Sequence, residues 1–276
     1  MPEPAQAAER WARALRAWAI PESILEAAPE SPYGFPTEVF RRRGERATGS
    51  DPTPTTQRAL ETLPEGGTVL DIGVGGGMTS LPLASRASTI VGVDGSAEML
   101  AAFEGTAESL GVTARTVLGT WPEVADQAAT ADVVVCGHVL YNVQQVTPFV
   151  RALTDKAARR VVVELTERHP WTWMNDLWQR FHSLSRPDTP TAADAESVLR
   201  ELGIEASGED RIDIGPSGGF KRRGDAVAFM RRRLCLPPNR DPELVLALGD
   251  RLAERGGLWS AGPPEQRIVT LWWDVG

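Results

Sequence analysis

Asp71 and Asp94 each stand at the end of a short apolar run; a glycine-rich turn follows the first, and the single Gly95 follows the second. The first run reads Val69-Leu70-Asp71-Ile72-Gly73-Val74-Gly75-Gly76-Gly77, the pattern of a buried strand entering a tight turn ahead of a helix. Glycines in such a turn let the backbone approach a ligand closely. A dinucleotide pyrophosphate would use a similar turn, but its G-x-G-x-x-G pattern fails here, because counting from Gly73 the sixth position is Met78. An acid at Asp71 repels a pyrophosphate and attracts an ammonium group. The second run, Ile90-Val91-Gly92-Val93-Asp94-Gly95-Ser96, has the spacing of the next strand of the same βαβ unit. A carboxylate at Asp94 can accept hydrogen bonds from both hydroxyls of a ribose; the alternative is that it only begins the turn and supports the cap of the next helix.

Together these motifs resemble those of the class I S-adenosylmethionine-dependent methyltransferases, over about residues 55–165. The family pattern, acid-x-Gly-x-Gly-x-Gly after the first strand and an acid after the second, is intact. The resemblance implies that Asp71, Gly73, Gly75 and Gly76 hold the methionine portion of S-adenosylmethionine, and that Asp94 with Gly95 binds its ribose. The family often carries an acid after the third strand, near the adenine, whereas this chain reads Leu118-Gly119-Thr120-Trp121-Pro122. Stacking of Trp121 on the purine with a polar contact from Thr120 would replace it, with packing in the core as the alternative for the indole. Cys136, at the end of the fourth strand, completes the expected cofactor contacts.

Ligands of open α/β sheets lie beyond the carboxyl ends of the strands, so His138, Tyr141 and Asn142, which follow the fourth strand, are expected to face the reacting groups. An imidazole at His138 suits a general base that takes a proton from a hydroxyl or amine; in-line placement of an acceptor can also suffice without one. After the fifth strand, Glu164, Thr166 and His169 stand at the same edge, and His169, Trp171 and Trp173 are candidate acceptor contacts. Met174, Leu177, Trp178 and Phe181 share a helical face and read as core. No spacing of His, Cys, Asp or Glu suggests a metal, and the two cysteines offer no disulfide framework.

The elements that must position these residues alternate. Apolar runs at 68–72, 89–93, 114–118, 132–136 and 160–165 read as parallel strands, with a last strand at 268–275. Ser96 and Thr147 read as helix N-caps, Gly111 as a terminator, and 191–202 as a helix with Asp194 three residues past its threonine cap. The expected fold is α/β and Rossmann-like: a mostly parallel seven-stranded twisted sheet with helices on both faces. Residues 1–54 are expected to form a helical cap, and 55–276 the catalytic domain, with cap insertions at about 166–190 and 216–264. The segment Ser31 to Pro36 is expected to break regular structure.

A net charge of −8 disfavours indiscriminate binding to nucleic acid or anionic membranes. No apolar run is long enough to span a bilayer and no signal peptide opens the chain, so a cytoplasmic location is expected. The leading expectation is methyl transfer to an O or N nucleophile of a small molecule. Methylation of RNA or protein is the variant within the same class, with Arg41-Arg42-Arg43, Lys221-Arg222-Arg223 and Arg231-Arg232-Arg233 as a landing strip; no Asn-Pro-Pro-Tyr type motif accompanies them. A non-catalytic S-adenosylmethionine-binding protein is the alternative of a different class.

Overall fold

The computed structural model describes residues 6–34, 36–214 and 219–276. Met1 to Ala5, Phe35 of the segment expected to break regular structure and Pro216 at the expected start of the second insertion lie outside the described residues.

The sheet is built from β1 (Gly67–Ile72), β2 (Ala87–Asp94), β3 (Thr113–Leu118), β4 (Ala131–Gly137), β5 (Ala157–Thr166), β6 (Ser207–Ile214) and β9 (Glu265–Asp274). Its order is β3-β2-β1-β4-β5-β9-β6, with β1 to β5 parallel and β9 antiparallel to both its neighbours. The middle strands are apolar on both faces because both are covered. Along β4, Val133 and Val135 face one side, while Val134 and Cys136 face the other. The first side carries α4 (Pro54–Thr62) and α5 (Ala97–Ser109), packed on Val69, Ile90 and Val162. The second carries α6 (Val146–Lys156) and α8 (Ala192–Glu201), with α1 (Gln6–Arg16) laid over them through Trp11 and Leu15.

Helix boundaries follow local chemistry. Ser96 caps α5 by accepting from Met99 N–H, and Thr191 and Asp194 form a reciprocal capping box on α8. Thr147 does not cap α6, which begins at Val146 after Gln145. A third apolar cluster joins α7 (Asn175–His182), α9 (Arg223–Arg233), α10 (Asp241–Leu248) and the hairpin β7 (Leu252–Arg255) and β8 (Leu258–Ala261). Met174, Leu177 and Trp178 are buried there, as their helical spacing predicts, and Ile20, Ile24 and Leu25 reach it from the N-terminal segment, the last two on α2 (Glu22–Ala27).

Two features depart from the expected pattern. The glycine-rich turn does not run into an α-helix: residues 73–86 form successive turns and one short 3-10 turn at Leu81–Leu83. Four of its first five residues are glycine and Pro82 lacks a donor, so the stretch has little helix propensity. Instead, α3 (Thr37–Thr48) packs against it and against α5. The other departure is β6, in which Glu209, Arg211 and Asp213 are half-buried while Ile212 and Ile214 are exposed. Charged residues turned inward on an edge strand hide it from a hydrophobic-period reading.

Candidate functional site

The carboxyl ends of β1, β2, β4 and β5 converge on one rim of the sheet. Gly73 N–H and Val74 N–H both donate to Val93 O, at 2.8 and 3.0 Å, which ties the turn after β1 to the end of β2. Gly73 has φ +72°, and a methyl group there would stand 2.3 Å from Val139 Cγ2, so only glycine fits between the turn and the segment after β4. Gly76 answers to a different neighbour. A methyl on it would lie 2.2 Å from the carbonyl oxygen of Phe40, because α3 rests directly on the turn.

The two acids at this rim have different surroundings. Asp94 Oδ2 accepts from Gly75 N–H at 3.0 Å and its Oδ1 from Ser96 N–H at 2.9 Å. The carboxylate is thereby fixed at the end of β2, half exposed, with lone pairs to spare for a ligand's hydroxyls. Asp71 is 1% exposed, and neither of its oxygens has a hydrogen-bond partner. Burial pushes its pKa up to about 7; neighbouring Ser80, through its hydroxyl and backbone N–H, opposes this and the charge of Asp94 adds to it, although neither Ser80 group reaches hydrogen-bonding geometry. A buried carboxylate without a partner is costly, and an ammonium group would satisfy it. The donor set therefore fits S-adenosylmethionine, an ammonium at Asp71 and vicinal hydroxyls at Asp94.

His138 sits one residue beyond β4 in the left-handed region, φ +60°. That conformation costs a non-glycine residue roughly 1 kcal/mol and persists where its surroundings over-determine it. Here its N–H donates to Glu164 O at 2.7 Å and its ring Nε2 lies 2.9 Å from Glu164 Oε1. Glu164 Oε2 accepts from the Thr55 hydroxyl and, at 3.1 Å, from Arg211. Burial alone would raise the Glu164 pKa, but His138, Arg211 and Thr55 outweigh it and hold the carboxyl at about 2. With Nε2 donating to this carboxylate, Nδ1 carries the ring's lone pair, and the imidazole is 34% exposed. The sequence places Glu164 at the strand end without a role; the parallel register of Gly137 with Glu164 brings it to His138. Thr55 and Arg211 had no signal in the sequence.

The remaining candidates separate. Gly95 and Thr120 are exposed at the ends of β2 and β3. Trp121 is buried and its indole N–H points to Phe149 O, so no face of it is open for stacking. The apolar surface beside Asp94 is instead Leu118, its register partner on β3, 57% exposed. Cys136 is fully buried on the far face, where burial raises its thiol pKa. Tyr141 is buried against Trp11, ring centroids 5.6 Å apart, and its hydroxyl donates to Thr166 O at 2.7 Å. His169 stacks on Trp18 at 3.8 Å, and burial with the nearby Arg186 charge lowers its pKa to about 3. Both rings belong to the seat of the N-terminal segment and not to an open site. Asn142 is exposed, and Trp171 and Trp173 are half-buried beneath Arg233 and Arg251 respectively.

The arginine triplets are largely engaged within the chain. Arg41 pairs with Glu38 and Glu45, Arg42 with Glu38, Arg222 with Asp225 and Arg231 with Asp241. Arg232 and Arg233 donate to the carbonyls of Gly34 and Pro32. Beside the strand ends lies a cavity of about 230 Å³ whose walls include Thr55, Thr79, Glu164, Arg211 and Arg43. A broader depression between α9 and α10, about 360 Å³, touches none of the strand-end residues. No cluster of potential metal ligands occurs among the described residues, and none of their helices is long and apolar enough to cross a membrane.

Residues 69–161 match the model of a methyltransferase domain family. A ubiquinone biosynthesis O-methyltransferase from Azorhizobium caulinodans is 37% identical over 94 residues, which make up 34% of this chain and 37% of that protein. The match thus spans little more than a third of the relative. Among solved structures, a SAM-dependent methyltransferase from Thiobacillus denitrificans, in complex with S-adenosyl-L-homocysteine, superposes with a TM-score of 0.51 at 16% identity, over 88% of this chain and all of that one (100%). A cyclopropane-fatty-acyl-phospholipid synthase-like protein from Lactobacillus casei gives 0.52 at 14% identity, over 91% and 98%. At these identities the likeness is one of fold.

Proposed function

We propose that this chain, a class I methyltransferase by its sheet and by the domain over residues 69–161, transfers a methyl group from S-adenosylmethionine to an oxygen or nitrogen of a small molecule. The observation that carries this reading is the pair of acids flanking the glycine turn, of which Asp71 is buried with both oxygens unpaired. The matched relative, by its name an O-methyltransferase, favours oxygen as the accepting atom.

Asp71 holds the ammonium and Asp94 the ribose hydroxyls, while Gly95 and Thr120 flank the nucleoside and Leu118 supplies an apolar contact to the base. When bound, the cofactor supplies an electrophilic methyl group on a sulfonium. His138 Nδ1 takes the proton released by the acceptor's hydroxyl or amine, and Glu164 fixes the ring and stabilises its charged form. Glu164 is a positioning residue in this account, itself held by Thr55 and Arg211. The N-terminal helices and the cluster of α7, α9 and α10 act as a cap that excludes water around a small acceptor.

Release of S-adenosylhomocysteine from S-adenosylmethionine, followed over a panel of small phenols, amines and hydroxy acids, tests the reading. With an accepted substrate, His138→Gln is expected to lower kcat by roughly 10²- to 10⁴-fold with little change in KM. Glu164→Gln is expected to lower kcat by less, also at unchanged KM. Equal kcat in His138→Gln and the parent would remove the base, and cofactor binding without turnover on any acceptor would favour a non-catalytic binding protein.

A further inference from the structure

Arg43 differs from the arginines on either side of it. Arg41 and Arg42 are engaged by Glu38, whereas Arg43 has, among the described residues, no ion pair and no hydrogen-bond acceptor, only the face of Phe40 at 5.3 Å. Its Nε is sealed from solvent without a partner, and the side chain lines the cavity that reaches Glu164. Burial lowers the guanidinium's pKa with no carboxylate to offset it. Arg46, three residues on and so on the same side of α3, lines the cavity and also lacks an ion pair among the described residues. Arg211, in the same wall, is by contrast neutralised by Glu164 and Asp213. Asp51 stands exposed on the cavity's rim.

A half-buried guanidinium with a sealed, unpaired Nε and no anion is unfavourable, and the planar fork of arginine matches a carboxylate in two parallel hydrogen bonds. We propose that Arg43, supported by Arg46, forms an anion subsite for the methyl acceptor, which is therefore a small molecule carrying a carboxylate. Glu164, which holds His138 through Nε2, stands in the wall of the same cavity and links the subsite to the base. The proposal rests on the methyl-transfer reading. The other carboxylate that could reach Arg43 is that of the cofactor's methionine, and competition separates the two.

The test titrates the full chain with benzoate, by calorimetry, with and without saturating S-adenosylhomocysteine. The proposal expects benzoate to bind in the presence of S-adenosylhomocysteine, about tenfold more weakly in Arg43→Met, at an intermediate strength in Arg43→Lys, and unchanged in the surface control Arg222→Met. Affinity for S-adenosylhomocysteine is expected to stay unchanged in both Arg43 variants, which also shows that they fold. Should Arg43→Met fail to fold, Arg43→Lys and the competition still decide. Benzoate binding that is absent from the parent, indifferent to both Arg43 substitutions, or displaced by S-adenosylhomocysteine would overturn the subsite. A chain that does not bind S-adenosylhomocysteine fails the methyl-transfer reading instead, and benzoate alone still reports on Arg43.

Discussion

Asp71 and Asp94 were both visible in the sequence as acids ending strands, yet only the structure separates their surroundings. Asp94 is anchored by two backbone N–H groups, and Asp71 is sealed without any. The Asp71 pKa is raised from 3.8 to about 7, so its contribution to stability is fully present below about pH 4 and is lost as the pH rises through 7. The penalty is on the order of 4 kcal/mol in the ligand-free chain. Asp71→Asn is accordingly expected to melt at a higher temperature than the parent at pH 8, and to lose this pH dependence. In the parent, an ammonium ligand must ionise Asp71, so calorimetry below pH 7 in buffers of different ionisation enthalpy should register proton release with S-adenosylhomocysteine. Asp71→Asn should register none, and equal proton release in both would contradict the pairing. Glu164 and Arg43 were not legible as partners of the site, because one depends on the register of β5 with β4 and the other on where α3 docks. Trp121 and His169, chosen by residue type and position, were drawn instead into packing by Phe149 and Trp18.

At the scale of elements, the contact of α3 with the glycine turn is the least foreseeable feature and the easiest to test. Gly76 was read as a ligand contact, while in the fold it faces Phe40 of α3. Gly76→Ala is expected to destabilise the chain by about 1–3 kcal/mol in urea unfolding, through forced displacement of α3. Gly105→Ala, in α5 with open space around it, is expected to be neutral or to stabilise by up to about 1 kcal/mol. Equal effects would show that α3 is not held there. The seat of the N-terminal segment has its own signature in pH. The His169 pKa is lowered from 6.5 to about 3, so the stability of that contact is present above pH 6.5 and is lost as the pH falls towards 3. His169→Phe, which retains a ring against Trp18, is expected to flatten the acid limb of the melting curve between pH 6.5 and 4; an unchanged limb would place the acid sensitivity elsewhere.

The whole molecule is a seven-stranded sheet whose parallel half was readable from alternating apolar and amphipathic stretches, and whose antiparallel edge was only partly so. The last strand was expected at 268–275 and runs over Glu265–Asp274, since its tryptophans and aliphatic residues keep their apolar character. Its partner β6 was not foreseen, because its inward side chains are charged and serve Arg58 and Glu164 through Glu209 and Arg211. The hairpin β7–β8 escaped as well, being four residues a strand and stabilised by its place beside α9. Residues of the expected insertions, among them Met174, Leu177, Trp178 and those of α9, α10 and the hairpin, gather in the third apolar cluster. The account as a whole turns on the cofactor. Isothermal titration of the full chain with S-adenosylhomocysteine, beside Asp94→Ala, tests it most directly: the account expects micromolar binding to the parent and a loss of about 1–3 kcal/mol in the variant. A parent chain that binds neither S-adenosylhomocysteine nor S-adenosylmethionine, or a variant that binds as tightly as the parent, would contradict it.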